Sequence, residues 1–500
     1  MRKVIFLLIF LFSLVSTALA FQTELIRVEN SSSDNKVLIL VDESIFSQIE
    51  GELNTYLDAL ATSGWGYECW KVESEEEIEE IRELRRFIIQ RWEASGVGIF
   101  GVFGVFFIDG GELPLVHVSG FFIPVPTELY WMDISPENWN LWEFNGMIWA
   151  DYKKWRNLLL EIFVSRIRGE AEDLRGYLRK IVDYRGCEEY EEEGLFYCLK
   201  EGKEESLELF EFLVEEIETI ECASCGKECF LRSLKKSKKW INLEGTTGTN
   251  TGEDIILPSG EEVSVEEIKN SSPEGRFYIL SGNSINYDVS NYVGSGYLFS
   301  GRGIGIFGWV DMIPVSNAEL ARPAFYRYLK KGLPIGEVQQ RYVVELAGLE
   351  QGSYCSAAYG YILAGDPTII TSSPPPVRAL VKAWVYKEKL HLKVEVENTT
   401  RNPMKVKTYL LVRIPCHPLC GFLTFFFNGK EWTTEPVSVP IEISPGEKKI
   451  LEQSVSISNL QIDHDPHDIW EFGIFLLNPF IEAVLDWDIF YICPFDEIPQ

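Results

Sequence analysis

Positive charge is scarce in this sequence. Its 500 residues carry 46 Lys and Arg against 76 Asp and Glu, a formal net charge of −30 at pH 7, and a field of that sign repels a polyanion such as nucleic acid. Histidine is scarcer still. There are five, and His117 is the only one before the proline run at residues 374–376, so an imidazole base in that part of the chain has a single candidate. No long apolar run follows the first twenty residues. The most apolar later stretch, Val97 to Ile108, is interrupted by glycines and closed by Gly110-Gly111; it reads as a buried strand, and no transmembrane helix is expected in the mature chain. A complete zinc site is missing too. Cys222-Ala-Ser-Cys225-Gly-Lys-Glu-Cys229 offers three thiolates, but neither a second CxxC nor a nearby His supplies a fourth ligand.

Apolar residues, in contrast, are plentiful at 46%, with 13% aromatic, enough to give two or three domains real cores. The first twenty residues read as a cleavable signal peptide. Arg2 and Lys3 precede an apolar run from Val4 to Leu14, and Ala18-Leu19-Ala20 is a small-residue cleavage site. Secretion, or residence in the cell envelope, is the expectation. All ten cysteines lie after residue 20, and an oxidising compartment lets them pair. The local candidates are Cys187 with Cys198, Cys416 with Cys420, and two of Cys222, Cys225 and Cys229; disulfides are favoured over zinc.

From Lys36 the pattern is α/β. Val37 to Val41 is a continuous apolar run of strand length, and Ile45, Ile49, Leu53, Tyr56, Leu57 and Leu60 then fall on one helical face behind Ser44 as the expected cap. Tyr67 to Val72 is a second strand, Ser74-Glu75-Glu76-Glu77 opens a second helix, and a third strand starts at Val97. Strands alternating with helices of this length imply an open, mainly parallel sheet flanked by helices. Residues 169–240 read as a helical, acidic, Cys-containing insertion, with the Glu run at 189–193 a solvated face. Strands return at Phe277 to Leu280, Ile304 to Phe307 and Thr368 to Thr371, the last two separated by helices at about 317–331 and 336–348. Residues 372–376 form a stiff Pro-rich linker. Beyond it, Ala379 to Tyr386, Leu390 to Glu397, Lys405 to Ile414 and Leu423 to Phe427 predict an immunoglobulin-like β-sandwich over 377–500. His464, Asp465 and His467 there read as a turn, since no further metal ligand is identifiable.

Two glycine-rich signals carry little. Gly303-Ile-Gly305-Ile-Phe-Gly308 has the form GxGxxG but lies inside an apolar run, without the strand and helix that a dinucleotide site needs. Gly294-Ser295-Gly296 fits a nucleophile elbow only loosely.

Several segments together resemble the gingipain-like family of caspase-fold cysteine peptidases. Val37-Leu-Ile-Leu-Val-Asp42 with its helix looks like that family's opening. Pro126-Thr-Glu-Leu-Tyr-Trp-Met-Asp133 is similar to its P-T-D-x-Y-Y-x-D segment, and Glu161-Ile-Phe-Val-Ser-Arg-Ile167, with Leu174, Tyr177-Leu178 and Lys180 to Gly186, to its E-I-x-V-G-R-I strand and following helix. Leu363-Ala-Gly365-Asp-Pro-Thr368 matches the L-x-GDPT that closes the domain. The resemblance covers about residues 36–371 and implies a caspase-like domain over 21–371 that cleaves peptides with a His-Cys dyad. It also allows calcium; no other cofactor is expected.

The dyad positions are substituted. The family's His follows a strand as His-Gly, whereas Trp240 to Glu244 runs into Gly245-Thr246-Thr247-Gly248. The family's Cys ends the next strand, whereas Phe277 to Leu280 runs into Ser281-Gly282-Asn283-Ser284, with Gly282 at the place of the nucleophile. Glycine cannot attack, and threonine is no general base at neutral pH. Neither His117 nor Cys355 sits at an expected strand end. The expectation is a non-catalytic protein whose cleft, lined by Gly245, Gly248, Ser281, Asn283 and Ser284, takes a peptide or protein partner at the cell envelope. Two other readings stay open: an active extracellular cysteine endopeptidase with a relocated dyad, and an envelope protein with a purely structural role.

Overall fold

The computed structural model describes residues 21–30, 35–73, 77–97, 102–119, 124–134, 139–152, 160–186, 193–199, 204–211, 213–221, 225–243, 247–248, 254–288, 291–309, 315–349, 360–386, 389–416, 421–456, 470–481 and 483–492. The chain enters through β1 (Gln22–Glu29) and then β2 (Asn35–Asp42), the apolar run that the sequence marks as a buried strand. Asp42 ends β2 and caps helix α1 (Glu43–Thr62): its Oδ1 accepts from the Ser44 backbone N–H at 2.9 Å and from the Ser44 hydroxyl at 2.7 Å. Asp42 therefore takes the place expected for Ser44, because a carboxylate sets a full negative charge against the positive end of the helix. The buried face of α1 is the one that its spacing predicts, Ile45 through Leu60. β3 (Gly66–Glu73), α2 (Ile78–Ser95) and β4 (Val102–Asp109) follow. Glu79 and Glu80 supply the acidic first turn of α2, which starts at Ile78 behind Glu77, the last residue of the expected Ser74-Glu75-Glu76-Glu77 opening; residues 74–76 lie outside the described residues.

After β4 the chain builds a small sheet above the main one. β5 (His117–Ser119), β6 (Pro124–Pro126), the single-turn helix α3 (Leu129–Met132) and the hairpin β7 (Trp139–Phe144) and β8 (Met147–Tyr152) precede the return to the main sheet in β9 (Phe163–Arg168) and α4 (Ala171–Arg185). Next come β10 (Glu193–Leu199), α5 (Glu204–Glu211), β11 (Glu216–Glu221), α6 (Lys227–Ser233) and β12 (Trp240–Leu243). These correct the expected helical insertion at 169–240. β10 and β11 pair in parallel with the main sheet, so this stretch continues its α/β alternation. β11 hid because it is an edge strand of alternating Glu and Ile, whose polarity reads as a solvated helix.

A three-stranded sheet of β13 (Thr247–Gly248), β14 (Asp254–Ile256) and β15 (Glu262–Ser264) leads into α7 (Val265–Ser271), which opens with a reciprocal Ser264 and Glu267 capping box. β16 (Phe277–Asn283), α8 (Val293–Phe299), β17 (Gly305–Trp309), α9 (Val315–Lys330), α10 (Ile335–Leu349) and β18 (Tyr361–Gly365) complete the α/β part. The closing strand is β18, not the expected 368–371, which follows it as a turn: Asp366 Oδ1 accepts from the Thr368 N–H and hydroxyl at 2.9 and 2.6 Å. In a strand, Pro367 would lack a ladder donor.

The main sheet has eleven strands in the order β1-β3-β2-β4-β9-β18-β17-β16-β12-β10-β11. Every described ladder is parallel except β1 with β3 and β17 with β18, so the two halves run in opposite directions and meet at β18. Beyond it, β19 (Val377–Tyr386), β20 (Lys389–Asn398), β21 (Met404–Cys416), β22 (Gly421–Phe427), β23 (Trp432–Thr433), β24 (Val439–Ile443), β25 (Lys448–Ser456), β26 (Trp470–Leu477) and β27 (Val484–Ile492) form two antiparallel sheets, β19-β20-β25 and β23-β22-β21-β26-β27, with β24 on β21. Valine and isoleucine at alternating positions fill the sandwich core.

Charges that leave water together join the two parts. The buried Lys331 ammonium, just past α9, donates to Asp486 at 2.9 Å, to Ala379 O at 2.9 Å and to Trp487 O at 2.8 Å. Asp486 in turn accepts from the Ala379 N–H at 2.6 Å, and Asp488 from the Val381 N–H at 2.7 Å. Arg327 bonds Glu345 at 2.8 Å with its guanidinium 4.6 Å above the Trp487 ring. Breaking one partner of such a set leaves an uncompensated buried charge. Lys331→Met should lower the unfolding free energy by about 3 kcal/mol and expose the sandwich to protease before the α/β part; chemical denaturation with limited proteolysis checks both.

Glu161, at the entrance to β9, supplies a pH signature. Burial, with Asp133 nearby, pushes its carboxyl up to about 8, while Oε2 accepts from the Ile134 N–H at 3.1 Å. The folded state then favours the protonated form, so this contribution is complete below the unfolded value and is lost as pH rises toward 8. Glu161→Gln keeps an acceptor for Ile134 and removes the titration. Its unfolding free energy should match wild type near pH ~4 and exceed it by about 1–2 kcal/mol at pH ~8.5, as read by urea titration at both values.

Candidate functional site

Strand register brings the strands that lead into the two expected site segments side by side. β12 and β16 pair in parallel from Trp240 opposite Phe277 to Leu243 opposite Leu280, so the chain beyond Leu243 and the end of β16 leave the sheet together. The chain order also reverses here: β10 steps outward to β11, whereas β12 steps inward to β16. A reversal of this kind opens a crevice at the carboxyl ends of the strands. Thr247 and Gly248 return as β13, which lies against β16. Ser281, Gly282 and Asn283 are the last residues of β16, and its pairing with β17 loses register between Ile279 and Asn283, the irregularity that often re-aims a chain beside a site. Gly245 and Thr246 lie outside the described residues, as does Cys355.

Ser284 follows directly and is 1% exposed. Its N–H donates to Trp309 O at 2.8 Å and its carbonyl accepts from the Gly294 N–H at 2.7 Å, so the residue anchors the loop after β16 instead of lining open space. That loop is held along its length. The Ile285 N–H also donates to Trp309 O, the Asp288 N–H to Asn286 Oδ1 at 3.0 Å, and the Tyr287 hydroxyl to Arg166 O at 3.0 Å.

His117 turns out to be part of this anchorage. On β5, its Nε2 meets Asp288 Oδ1 at 2.8 Å and its Nδ1 faces Ile148 O at 3.3 Å. Both ring nitrogens are thus engaged by groups of the surrounding structure. The ring is held in place as a link between β5, β8 and the loop after β16. The pairing spans 171 residues, and no local signal marks Asp288 in the sequence. The other group that sequence reasoning missed is the Arg166 cluster. Fully buried, Arg166 donates to Asp109 at 2.8 Å, to Glu128 at 2.9 Å and to Pro114 O at 3.1 Å, with its guanidinium 4.4 Å from the Phe107 ring centre. The sequence contained Arg166 inside the Val-Ser-Arg-Ile segment, but its carboxylate partners lie 57 and 38 residues away.

Thiol chemistry finds no support among the described residues. Cys225 and Cys229 form a disulfide, which removes two of the three thiolates that zinc would need. Cys187, Cys222 and Cys420 lie outside the described residues. Cys69 is a free thiol, but burial in β3 pushes it up to about 12, far from a nucleophilic thiolate at neutral pH. No group of three or more His, Cys, Asp or Glu side chains poised to hold a metal occurs among the described residues. His464, Asp465 and His467 fall outside them. Gly303, Gly305 and Gly308 belong to close packing around β17: a Cβ on Gly303 would meet Tyr297 O, and one on Gly308 would meet Ile285. Ser295 is buried within α8, which excludes an exposed nucleophile elbow. No described helix is long and apolar enough to cross a membrane.

No protein-family model matches the sequence, and no curated protein matches it. Solved structures do match. The Arg specific cysteine proteinase gingipain R aligns over 92% of this chain and 98% of its own, with a TM-score of 0.52 and 11% identity. The complex of Porphyromonas gingivalis RgpB pro- and mature domains aligns over 92% and 99%, with a TM-score of 0.51 and 11% identity. A chain described only as a protease aligns over 92% and 97%, with a TM-score of 0.50 and 10% identity. At such identities the likeness concerns architecture, and it spans both parts of the molecule. The chain has the gingipain fold, a caspase-like α/β domain followed by a β-sandwich.

Proposed function

We propose that this chain is an extracytoplasmic, non-catalytic relative of the gingipain-fold cysteine peptidases, and that its cleft binds a peptide or partner protein without cleaving it. The observation that carries this reading is the register of β12 and β16. It makes neighbours of the two strands whose continuations carry Gly245-Thr246-Thr247-Gly248 and Ser281-Gly282-Asn283-Ser284, and neither sequence holds an imidazole or a thiol. A peptidase of this design needs both within hydrogen-bond reach. The engagement of His117 with Asp288 and the burial of Cys69 support the same reading. The signal-peptide pattern at 1–20 supports an extracytoplasmic location. Calcium stays part of the proposal only as an additive to test.

The test is incubation of the purified protein with a mixed peptide library under reducing and calcium-supplemented conditions, beside a Cys355→Ala control. No turnover in any condition is expected, with peptides retained by the wild type and lost from Thr247→Trp, a bulky substitution on β13, the strand that lies against β16. Turnover that disappears in Cys355→Ala would overturn the proposal in favour of an active cysteine endopeptidase. Asp288→Ala should release the loop after β16. Its amides at 285–288 should exchange at least about tenfold faster while the melting temperature falls only a few degrees (~2–4 °C), as followed by hydrogen exchange and calorimetry.

A further inference from the structure

The accessory sheet, ordered β6-β5-β8-β7, ends on β7, and no described strand pairs with the outer side of β7. The turn at its tip is Asn145-Gly146 with φ of 54° and 76°, a two-residue loop with both central residues left-handed. In such a hairpin the pair flanking the loop, Phe144 with Met147, is hydrogen-bonded, and bonded and non-bonded pairs then alternate. Trp142 therefore bonds inward to Trp149, while Leu141 and Glu143 direct their N–H and C=O groups outward. Natural edge strands are usually blunted by charge, proline or cover. Here α2 approaches the strand, yet Trp142 stays 42% and Phe144 59% exposed. Trp142 and Trp149 stack on the same face, their rings 6.4 Å apart and 14° from parallel. Glu143 is the one charged residue of β7, and it is exposed.

We infer that β7 is a docking edge for an extended polypeptide segment of a partner protein, one that alternates apolar side chains with Lys or Arg. Backbone pairing comes from the outward groups of Leu141 and Glu143, apolar contact from Trp142 and Phe144, and sign selection from Glu143. Charge decides between a partner and a second copy. Two chains of net charge −30 repel, whereas a cationic segment is drawn to this surface, its lysines or arginines facing Glu143 while its apolar side chains meet Trp142 and Phe144 on the other face. This surface is independent of the cleft.

The experiment is fluorescence anisotropy of a short labelled peptide of alternating Lys and Val, with an alternating Glu and Val peptide as control. Glu143→Pro removes an outward N–H and no ladder bond of the hairpin, and Trp142→Lys removes the aromatic contact. Each should weaken binding of the Lys-Val peptide about tenfold or more, and the Glu-Val peptide should bind at least about tenfold more weakly than its cationic counterpart. Unchanged binding in both variants overturns the inference. So does binding lost in Thr247→Trp but kept in Glu143→Pro, which would belong to the cleft. Concentration-dependent self-association of the wild type that disappears in Glu143→Pro would identify a second copy as the occupant and overturn the choice of partner.

Discussion

The organisation around β9 depends on one buried cation. Arg166 sits at zero exposure with Asp109, Glu128 and Pro114 O on its donors. It thereby joins the end of β4, the turn before β5 and the residue preceding α3. The backbone carbonyl of the same residue accepts from Tyr287, which extends the tie to the loop after β16. An isolated guanidinium would not be tolerated at this depth. With two carboxylates and a carbonyl around it, the group fixes how three separate segments cross, and the accessory sheet, His117 and the site loop take their places from that crossing.

The parts of the fold legible in the sequence are those where burial follows local periodicity. β2 is a continuous apolar run, the face of α1 repeats at helical spacing, and the sandwich strands alternate. β10 and β11 were not legible because β11 is a half-exposed edge whose glutamates imitate a helix surface. The Thr-Ile-Ile-Thr pattern of 368–371 suits a strand, but Pro367 just before it lacks a ladder donor and the Asp366 side chain holds Thr368 in a turn. The cap of α1 falls on Asp42 and not Ser44, two good capping residues two positions apart, because the carboxylate sets its charge against the N-terminal end of the helix.

The candidate site was legible to the level of the strand ends and no further. The residue identities at the expected dyad positions are read from the sequence alone, and register shows that the strands leading to them, β12 and β16, are neighbours. What holds them is written in pairs far apart along the chain, His117 with Asp288 and Arg166 with Asp109 and Glu128, and no local pattern encodes such partners. Among the cysteines, spacing left three thiols as equals. Folding distinguishes two of them, because Cys225 just before α6 and Cys229 within it lie one helical turn apart.

The Pro-rich segment between the two parts has a mechanical consequence. Ser372 bonds the carbonyl of Leu329 at the end of α9, and Thr399 of the sandwich bonds the carbonyls of Pro375 and Pro376. Proline supplies little slack, and these bonds remove what remains. A load applied to the sandwich is therefore not taken up by stretching a tether. It passes as shear through Lys331, Asp486 and the α9–α10 pair into β18, the strand where the two opposed halves of the main sheet meet.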